Sequence, residues 1–299
     1  MIASNKSIPV CATKLSPPAE VGWLTSFVIR WGRLGSTDIF HENVSRRGLF
    51  GKSFILLFGT PHLGSFANGF YLRRLLKGRR FGSILDAGCG DGTFSFYVAS
   101  KNPATRVLGV DVGEQGLHGA EDTLQVGERI QKSLRLPNLN FERLDLRELN
   151  ASNEYDLVYS FDVLEHIAEN NKVLENIYRA LNQGGLLLVR IPTRVQKRIL
   201  NNKFTAEHAH WAAIEHVGQH HDMESLLKTL RSIGYRILSA KYTMGFWGRL
   251  SFELSEALKY YRIPAVVQFA CIPPLKLLRW IDTLTNPKDG DGLLVLCEK

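Results

Sequence analysis

The chain has 299 residues, of which 44% are hydrophobic and 22% charged, a balance typical of a globular protein with a sizeable core. Its four cysteines are scattered without a C-x-x-C pair, which argues against a disulfide framework and a cysteine zinc site and favours a reducing, cytoplasmic setting. No apolar stretch reaches the roughly eighteen to twenty residues that span a bilayer, and residues 1–15 lack the apolar segment of a secretory signal.

The net charge of +8 is unevenly distributed. Residues 1–83 contain four Lys and eight Arg against three acidic residues, a balance of +9, which leaves about −1 for residues 84–299. A solvated helix face explains such a cluster, and contact with anionic lipid headgroups or an acidic substrate is the alternative. The sequence has no RNA-binding signature, so no nucleic-acid partner is expected.

Two helices are predicted before the first strand. Apolar residues recur at helical spacing over 21–34 and again from Phe66 to Leu76, where Gly78 ends the pattern. Residues 1–22 are irregular and rich in Ser, Pro and Lys, which is typical of a loose tail. The division predicted from these patterns is a tail and helical extension at 1–80 and one domain at 81–299.

The most informative segment is 84–92, a short apolar strand that runs into the glycine turn Asp-Ala-Gly-Cys-Gly-Asp-Gly, with a helix predicted from Thr93. Such a turn lets the backbone approach a nucleoside cofactor closely. NAD, ATP and S-adenosylmethionine are all cofactors that a turn of this kind can bind. Asp86 and Asp91 would repel a pyrophosphate and attract an ammonium or sulfonium group. The turn also lacks a P-loop lysine, and Thr93 replaces the last glycine of a dinucleotide fingerprint, so S-adenosylmethionine is favoured.

Further strands follow in regular order. Each is a short apolar run, and the first two of them end in an acid: 107–111 ends at Asp111, 139–144 precedes Asp145, 155–161 leads into Asp162-Val-Leu-Glu-His166, and 186–191 follows a glycine pair. Asp111 comes about twenty residues after the turn, the spacing at which a carboxylate reaches both ribose hydroxyls.

In these motifs the chain resembles the class I S-adenosylmethionine-dependent methyltransferases, over residues 81–245 and 292–299. The branch with D-V-L-E-H is similar to ubiquinone-pathway and natural-product O-methyltransferases. The resemblance implies an α/β fold with a doubly wound, mostly parallel seven-stranded sheet, the Rossmann-like methyltransferase fold. It also implies that the N-terminal extension roofs an acceptor pocket.

The resemblance further assigns cofactor-binding residues. Asp86 and the backbone of Gly88 and Gly90 would hold the methionine part, and the Phe161 backbone would close over it. Asp111 would hold the ribose, with Val112 against the adenine. Asp145 would accept from the adenine amino group with Leu146 beside it, although a solvated acid at a strand end is the plainer interpretation of Asp145.

The C-terminal third is predicted to carry an insertion. Residues 192–222 form a polar, histidine-rich stretch, Asp222 and Gly234 cap a helix, and a sixth strand spans 235–242. About fifty residues then precede the last strand near Leu293, where a hairpin needs only a few. One helix with Leu250, Leu254 and Leu258 opposite Glu253, and another after Pro273-Pro274, are predicted within 246–288. Their apolar stripes pack on the domain by default, and a membrane-interface contact through Lys276, Arg279 and Trp280 is the alternative.

Histidines are the candidate bases, because a neutral hydroxyl acceptor must lose a proton. His166 follows the fourth strand, and five more crowd the segment after the fifth. His166 and His220 are the predicted catalytic residues. No spacing matches a standard metal site, so no metal is expected.

The sequence therefore predicts S-adenosylmethionine-dependent methyl transfer to a small or amphiphilic acceptor, at oxygen. A nicotinamide-dependent oxidoreductase and a non-catalytic scaffold are the alternatives. Small-molecule or lipid-like partners and a peripheral membrane contact remain open, as does the oligomeric state.

Overall fold

A seven-stranded sheet forms the centre of the protein. The computed structural model describes residues 62–113 and 122–299. The strands are β1 (Ser83–Ala87), β2 (Arg106–Asp111), β3 (Leu139–Arg143), β4 (Tyr155–Phe161), β5 (Leu181–Pro192), β6 (Arg236–Thr243) and β7 (Gly292–Glu298). They lie in the order β3-β2-β1-β4-β5-β7-β6, and β7 runs antiparallel to both of its neighbours. The predicted fold class is confirmed.

Helices connect these strands and cover both faces of the sheet. They are α1 (Leu63–Leu76), α2 (Thr93–Lys101), α3 (Thr123–Leu134), α4 (Asn170–Ala180), α5 (Ala206–Glu215), α6 (Met223–Ile233), α7 (Phe246–Tyr260) and α8 (Ala265–Leu284). Two apolar clusters form the core. One contains Val158, Ile177 and Leu226 under α4 and α6, and the other contains Ile84, Ile130 and Leu157 under α2 and α3.

The caps predicted for α6 are present. Asp222 accepts from the backbone of Ser225 in a capping box, and Gly234 closes the helix with a φ of +119°. The predicted helix before the first strand is α1, which ends at Leu76, two residues before Gly78. The tail and the helix predicted at 21–34 lie outside the described residues.

Three elements differ from the sequence-based predictions. The polar stretch 192–222 contains a helix, α5, which has no buried residue and hence no apolar stripe to reveal it. Strand β5 begins at Leu181, before the glycine pair, because Leu181 already pairs with Tyr155 ahead of an irregularity in the ladder. Helix α8 begins at Ala265 and continues through Pro273 and Pro274, although each proline removes one helical donor.

The orientation predicted for the insertion is wrong for two residues of α7. Leu254 is exposed, whereas Glu253 is fully buried. The Glu253 carboxylate accepts from the backbone N–H groups of Ile199 and Leu200, at 2.6 and 2.7 Å, so these bonds offset its burial. On α8, Lys276 and Arg279 are also buried, and Trp280 alone of the three predicted membrane contacts is exposed. No helix among residues 62–113 and 122–299 is both long and apolar enough to cross a bilayer.

Candidate active site

The glycine turn after β1 is shaped by close contacts and one open position. Gly88 has a φ of +83°, and a Cβ there would lie 2.3 Å from a methyl group of Val163. At Gly90, with a φ of +53°, no atom of the described residues lies within 4 Å of the Cβ position. The Gly88 N–H donates to the Val110 carbonyl and the Gly90 N–H donates to Asp111 Oδ2, both at 2.9 Å. A ligand over Gly90 would therefore contact backbone without a side chain in the way. The N–H groups of Gly88 and Gly90 would not be available to it, because both already donate within the protein.

Asp86 lies below this turn and is 2% exposed. Its Oδ2 accepts from the Ser95 hydroxyl at 2.6 Å and from the Tyr159 hydroxyl at 2.9 Å. No described residue donates to Oδ1, so that oxygen remains for a ligand. Burial raises the pKa of Asp86 to about 7, because the charged form is poorly solvated there.

Asp111 ends β2 beside the turn. Its Oδ2 accepts from Gly90, and its Oδ1 accepts from the Gly113 N–H at 2.9 Å, so each oxygen keeps a second acceptor site. Val112 follows with 42% of its surface exposed. This acid thus braces the turn while staying able to hold a ligand.

The residues predicted near the adenine and the methionine end differ in how far their side chains are exposed and in what those side chains contact. Asp145 accepts from the Arg147 backbone N–H at 2.9 Å and pairs with the Arg147 guanidinium, which lowers the pKa of Asp145 below its usual value. The Leu146 side chain is buried in the core rather than beside an open surface. Phe161 packs edge-to-face on Phe94, with ring centroids 5.3 Å apart.

A cavity of about 620 Å³ lies beyond the carboxyl ends of β4 and β5. Its described lining comes from α1, the loop after β4, and helices α5, α7 and α8, and includes Leu63, Asp162, Glu165, His166, Arg190, His208, Trp211, His216, Phe252, Lys259, Ile272 and Arg279. The loop after β4 also supplies Val163, which contacts the glycine turn. The turn and the cavity therefore share one segment.

An ion pair forms part of the cavity floor. Arg190 on β5 forms an ion pair with Asp162. In the ladder between β4 and β5, Arg190 lies opposite Phe161, and Asp162 is the next residue after Phe161. Asp162 has a φ of +57° and also accepts from the Asn68 amide at 3.0 Å. Burial is the largest single influence and opposes the charge of Arg190, but the surrounding acidic groups, Asp162 foremost, together outweigh it and raise the pKa of Arg190. Sequence reasoning missed this pair, because its members are 28 residues apart, one on β5 and the other in the loop after β4.

Glu165 is a buried acid of the cavity lining, with 6% exposure. No residue in the described part of the chain forms a hydrogen bond with its Oε2. Burial, reinforced by the Asp162 charge, raises the pKa of Glu165 to about 8. The side chain is therefore neutral at pH 7 and can donate a hydrogen bond.

We expect Glu165 to make the fold less stable as pH rises. Between its unfolded pKa of about 4.5 and its folded value near 8, the folded chain holds a proton that the unfolded chain has lost, so stability falls across that window. Glu165→Gln removes this dependence. Between pH 5 and 8.5, the melting temperature of the variant minus that of the wild type should therefore rise by a few °C, on the order of the shift that one or two kcal/mol gives. The control is Glu169→Gln, at an exposed position. Parallel melting curves for wild type and Glu165→Gln would disprove the raised pKa.

Four histidines line the cavity: His62, His166, His208 and His216. The His166 Nδ1 lies 3.1 Å from the Glu215 carbonyl, which leaves Nε2 for other partners. Its ring is 4.9 Å from that of His216, whose pKa burial lowers to about 4. His220 is exposed, is absent from the described lining, and reaches the group only through a ring contact of 6.2 Å with His216. Of the two predicted bases, His166 alone lies at the cavity.

Glu165, His166 and His216 also offer one possible metal ligand each, with the ligand atoms within 4.8 Å of one another. Carboxylate and imidazole suit zinc and similar divalent ions. The neutral state of Glu165 opposes cation binding until the ion displaces its proton. The sequence predicted no metal, and that expectation stays untested.

Comparison with known proteins identifies the family. A family model described as a methyltransferase domain matches residues 81–235, more than half of the chain. The chain belongs to the class I S-adenosylmethionine-dependent methyltransferases. This membership confirms the resemblance and the predicted cofactor, S-adenosylmethionine. It also disfavours the nicotinamide-dependent alternative.

The chain is similar to curated methyltransferases over part of its length and to a solved structure over most of it. It is 31% identical over 121 residues to trans-aconitate 2-methyltransferase of Deinococcus radiodurans, covering 40% of this chain and 42% of that protein. It is 28% identical over 103 residues to malonyl-acyl-carrier-protein O-methyltransferase 1 of Ilyobacter polytropus, covering 34% and 35%. The chain thus matches less than half the length of these curated relatives. Phosphoethanolamine N-methyltransferase 2 of Haemonchus contortus has a TM-score of 0.56 at 18% identity, over 93% of this chain and 60% of that one, which shows a shared fold.

Proposed function

We propose that this protein transfers a methyl group from S-adenosylmethionine to an oxygen of a small acceptor held in the 620 Å³ cavity. The observation that carries the proposal is the contact between Gly88 and Val163, because it sets the cofactor turn directly against the loop that lines the cavity. Methyl transfer requires donor and acceptor within about 3 Å in a site closed to water. The names of the two curated relatives, both of which methylate acids, support an oxygen acceptor.

The proposed cofactor contacts follow from the geometry of the turn. Oδ1 of Asp86 is available for the ammonium of the methionine part, and the carbonyl oxygens at Gly88 and Gly90 would add acceptors, since their amides are used elsewhere. Asp111 would take the ribose hydroxyls, with Val112 at the adenine. Asp145 and Leu146 remain proposed adenine neighbours, although burial leaves only the Leu146 backbone for that role. Phe161 would close the methionine end through its backbone.

The chain's own part in the reaction is positioning and proton removal. Bound S-adenosylmethionine supplies an electrophilic methyl carbon that is already activated by its sulfonium. His166 is the proposed base, because it lines the cavity and no hydrogen bond from a described residue occupies its Nε2. His220 remains a predicted base, but it would need to move to reach the cavity. Trp211 and Phe252 exclude water from the acceptor.

Peripheral membrane contact stays a proposal with weaker support. Trp247, Leu277 and Trp280 present exposed apolar surface on α7 and α8, but burial removes Lys276 and Arg279 from any headgroup contact. The same limit applies to a lipid-like acceptor. The domain division at 80/81, with an insertion at 246–288, also stays a prediction.

Thermal melting with S-adenosylhomocysteine, NAD and ATP tests the proposed function. A ligand that binds the folded protein alone stabilises it by about 2.7 kcal/mol at a concentration of 100 times its Kd. We expect S-adenosylhomocysteine to raise the melting temperature and NAD and ATP to leave it unchanged. Stabilisation by NAD without any by S-adenosylhomocysteine would refute the proposal. No response to any of the three would favour the non-catalytic scaffold.

A further inference from the structure

Arg279 on α8 is a buried cation for which the described residues provide no hydrogen-bonded partner. Its side chain is among the least exposed of the charged residues, at 4%, and it lines the cavity. Its Nε is buried and makes no hydrogen bond, and no residue in the described ranges accepts from its other two nitrogens. Buried charges in proteins are normally paired, so this guanidinium needs an explanation.

The acid nearest in sequence does not satisfy it. The Asp282 carboxylate accepts from the backbone N–H groups of Met244 and Gly248, both at 2.9 Å, and thereby holds the start of α7. Asp162 is committed to Arg190 and Asn68. Glu165 is neutral at pH 7. Each acid around the cavity floor therefore has another task or no charge.

A second cation stands beside the first. Burial and, as the second influence in the same direction, the nearby charge of Arg190 lower the pKa of Arg279 to about 10. Arg279 thus stays charged at neutral pH, although both influences oppose its charge. Two guanidinium groups that line one cavity, both largely removed from solvent, attract an anion strongly, because little water can screen them.

We propose that Arg279, with Arg190 beside it, binds an anionic group, a carboxylate or a phosphate, carried by the methyl acceptor. This inference rests on the proposed function, since it names the class of compound that the acceptor cavity takes. A planar guanidinium presents parallel N–H groups that match both kinds of oxyanion. The anion supplies the hydrogen-bond acceptors that Arg279 lacks within the described chain and fixes the acceptor in one orientation under the cofactor.

The test is anion binding to protein saturated with S-adenosylhomocysteine. The probes are a panel of di- and tricarboxylic acids that includes trans-aconitate, a panel of phosphomonoesters that includes glycerol phosphate, and the neutral methyl esters of the acids, all at constant ionic strength. We expect one anion panel, and not the esters, to raise the melting temperature. The panel that responds distinguishes a carboxylate from a phosphate.

Matched variants assign the effect to Arg279. Arg279→Met should weaken binding of the responding anion by about 10- to 100-fold, the loss expected for hydrogen bonds to a charged group. Lys259→Met is the control, because Lys259 also lines the cavity but is exposed and paired with Glu256, and it should change the affinity less than about 3-fold. If Arg279→Met does not fold, Arg279→Lys serves, since it keeps the charge but loses the planar fork and should still cost about 10-fold.

The two proposals fail separately. If S-adenosylhomocysteine stabilises the wild type but neither anion panel does, or if the esters bind as well as the acids, the anion inference is overturned and the methyltransferase proposal stands. Wild-type affinity in both Arg279→Met and Arg279→Lys would also overturn it. If S-adenosylhomocysteine itself does not bind, the proposed function fails first.

Discussion

Asp111→Ala is expected to weaken S-adenosylhomocysteine binding by about 100-fold or more. The variant loses the acceptor proposed for two ribose hydroxyls, and hydrogen bonds to a charged group are worth about 1.5–3 kcal/mol each. It also releases the N–H groups of Gly90 and Gly113, so the turn loses its brace. Isothermal titration calorimetry with S-adenosylhomocysteine measures the effect directly.

Two further variants separate ribose binding from turn structure. Asp111→Asn keeps one side-chain oxygen for hydrogen bonding, so it should fall between wild type and Asp111→Ala. Glu142→Ala, at an exposed position on the neighbouring strand β3, should bind as the wild type does. Without ligand, the melting temperature should change little in Glu142→Ala, and a fall in the two Asp111 variants measures what the hydrogen bonds to Gly90 and Gly113 contribute to the turn. Unchanged affinity in Asp111→Ala would remove Asp111 from the cofactor site.

Asp162→Ala is expected to lower the free energy of unfolding by about 3 kcal/mol. Removal of one partner of a buried ion pair leaves an uncompensated charge, which costs about 3–5 kcal/mol, and the partial exposure of Asp162 places this case at the low end. Arg190 would then lose its ion-pair partner while the charge of Arg279 remains nearby. Alanine also tolerates the positive φ at this position less well than Asp does. Chemical denaturation measures the loss.

The comparison variants for Asp162 test charge and location. Asp162→Asn tolerates the same backbone conformation and can still accept a hydrogen bond, so it isolates the charge and should cost less than alanine does. Glu298→Ala breaks an ion pair with the exposed Arg236 and should cost less than about 1 kcal/mol. Equal losses from Asp162→Ala and Glu298→Ala would mean that the Arg190 pair is not a buried interaction of consequence.

The strands at the centre of the sheet were predictable because they are short and buried, as β1 and β4 are. Strand β4 matches the predicted span of 155–161. Its mostly apolar run is bounded by Glu154 and Asp162, and the run shows no helical repeat of apolar residues that would favour a helix instead. The capped helix α6 was also predictable from Asp222 and Gly234, which act locally. Helix α5 was not, because its small and polar residues give no apolar stripe. Helix α8 was only half predicted, since tertiary packing overrides the proline pair at its centre.

The position of a candidate site residue was predictable where it depends on the neighbouring strand in sequence. It was not predictable where it depends on contacts between distant segments. His166 could be placed because it follows a parallel strand at the edge where ligands gather. His220 could not, because which histidine of its segment faces inward depends on the unpredicted helix α5. Arg190, Arg279 and Asp162 meet from β5, α8 and the loop after β4, and nothing in their sequence spacing indicates that meeting. Glu253 shows the same limit, because its partners are backbone amides of another segment.

The contact of Gly88 with Val163 has a consequence for redesign of this protein. Because the valine methyl groups occupy the space that any side chain at 88 would need, the donor half and the acceptor half of the site form one interlocking pair. Directed evolution toward larger acceptors should therefore succeed more readily on the α7 and α8 walls than on the loop after β4, where each accommodating shift would be transmitted to the nucleoside side.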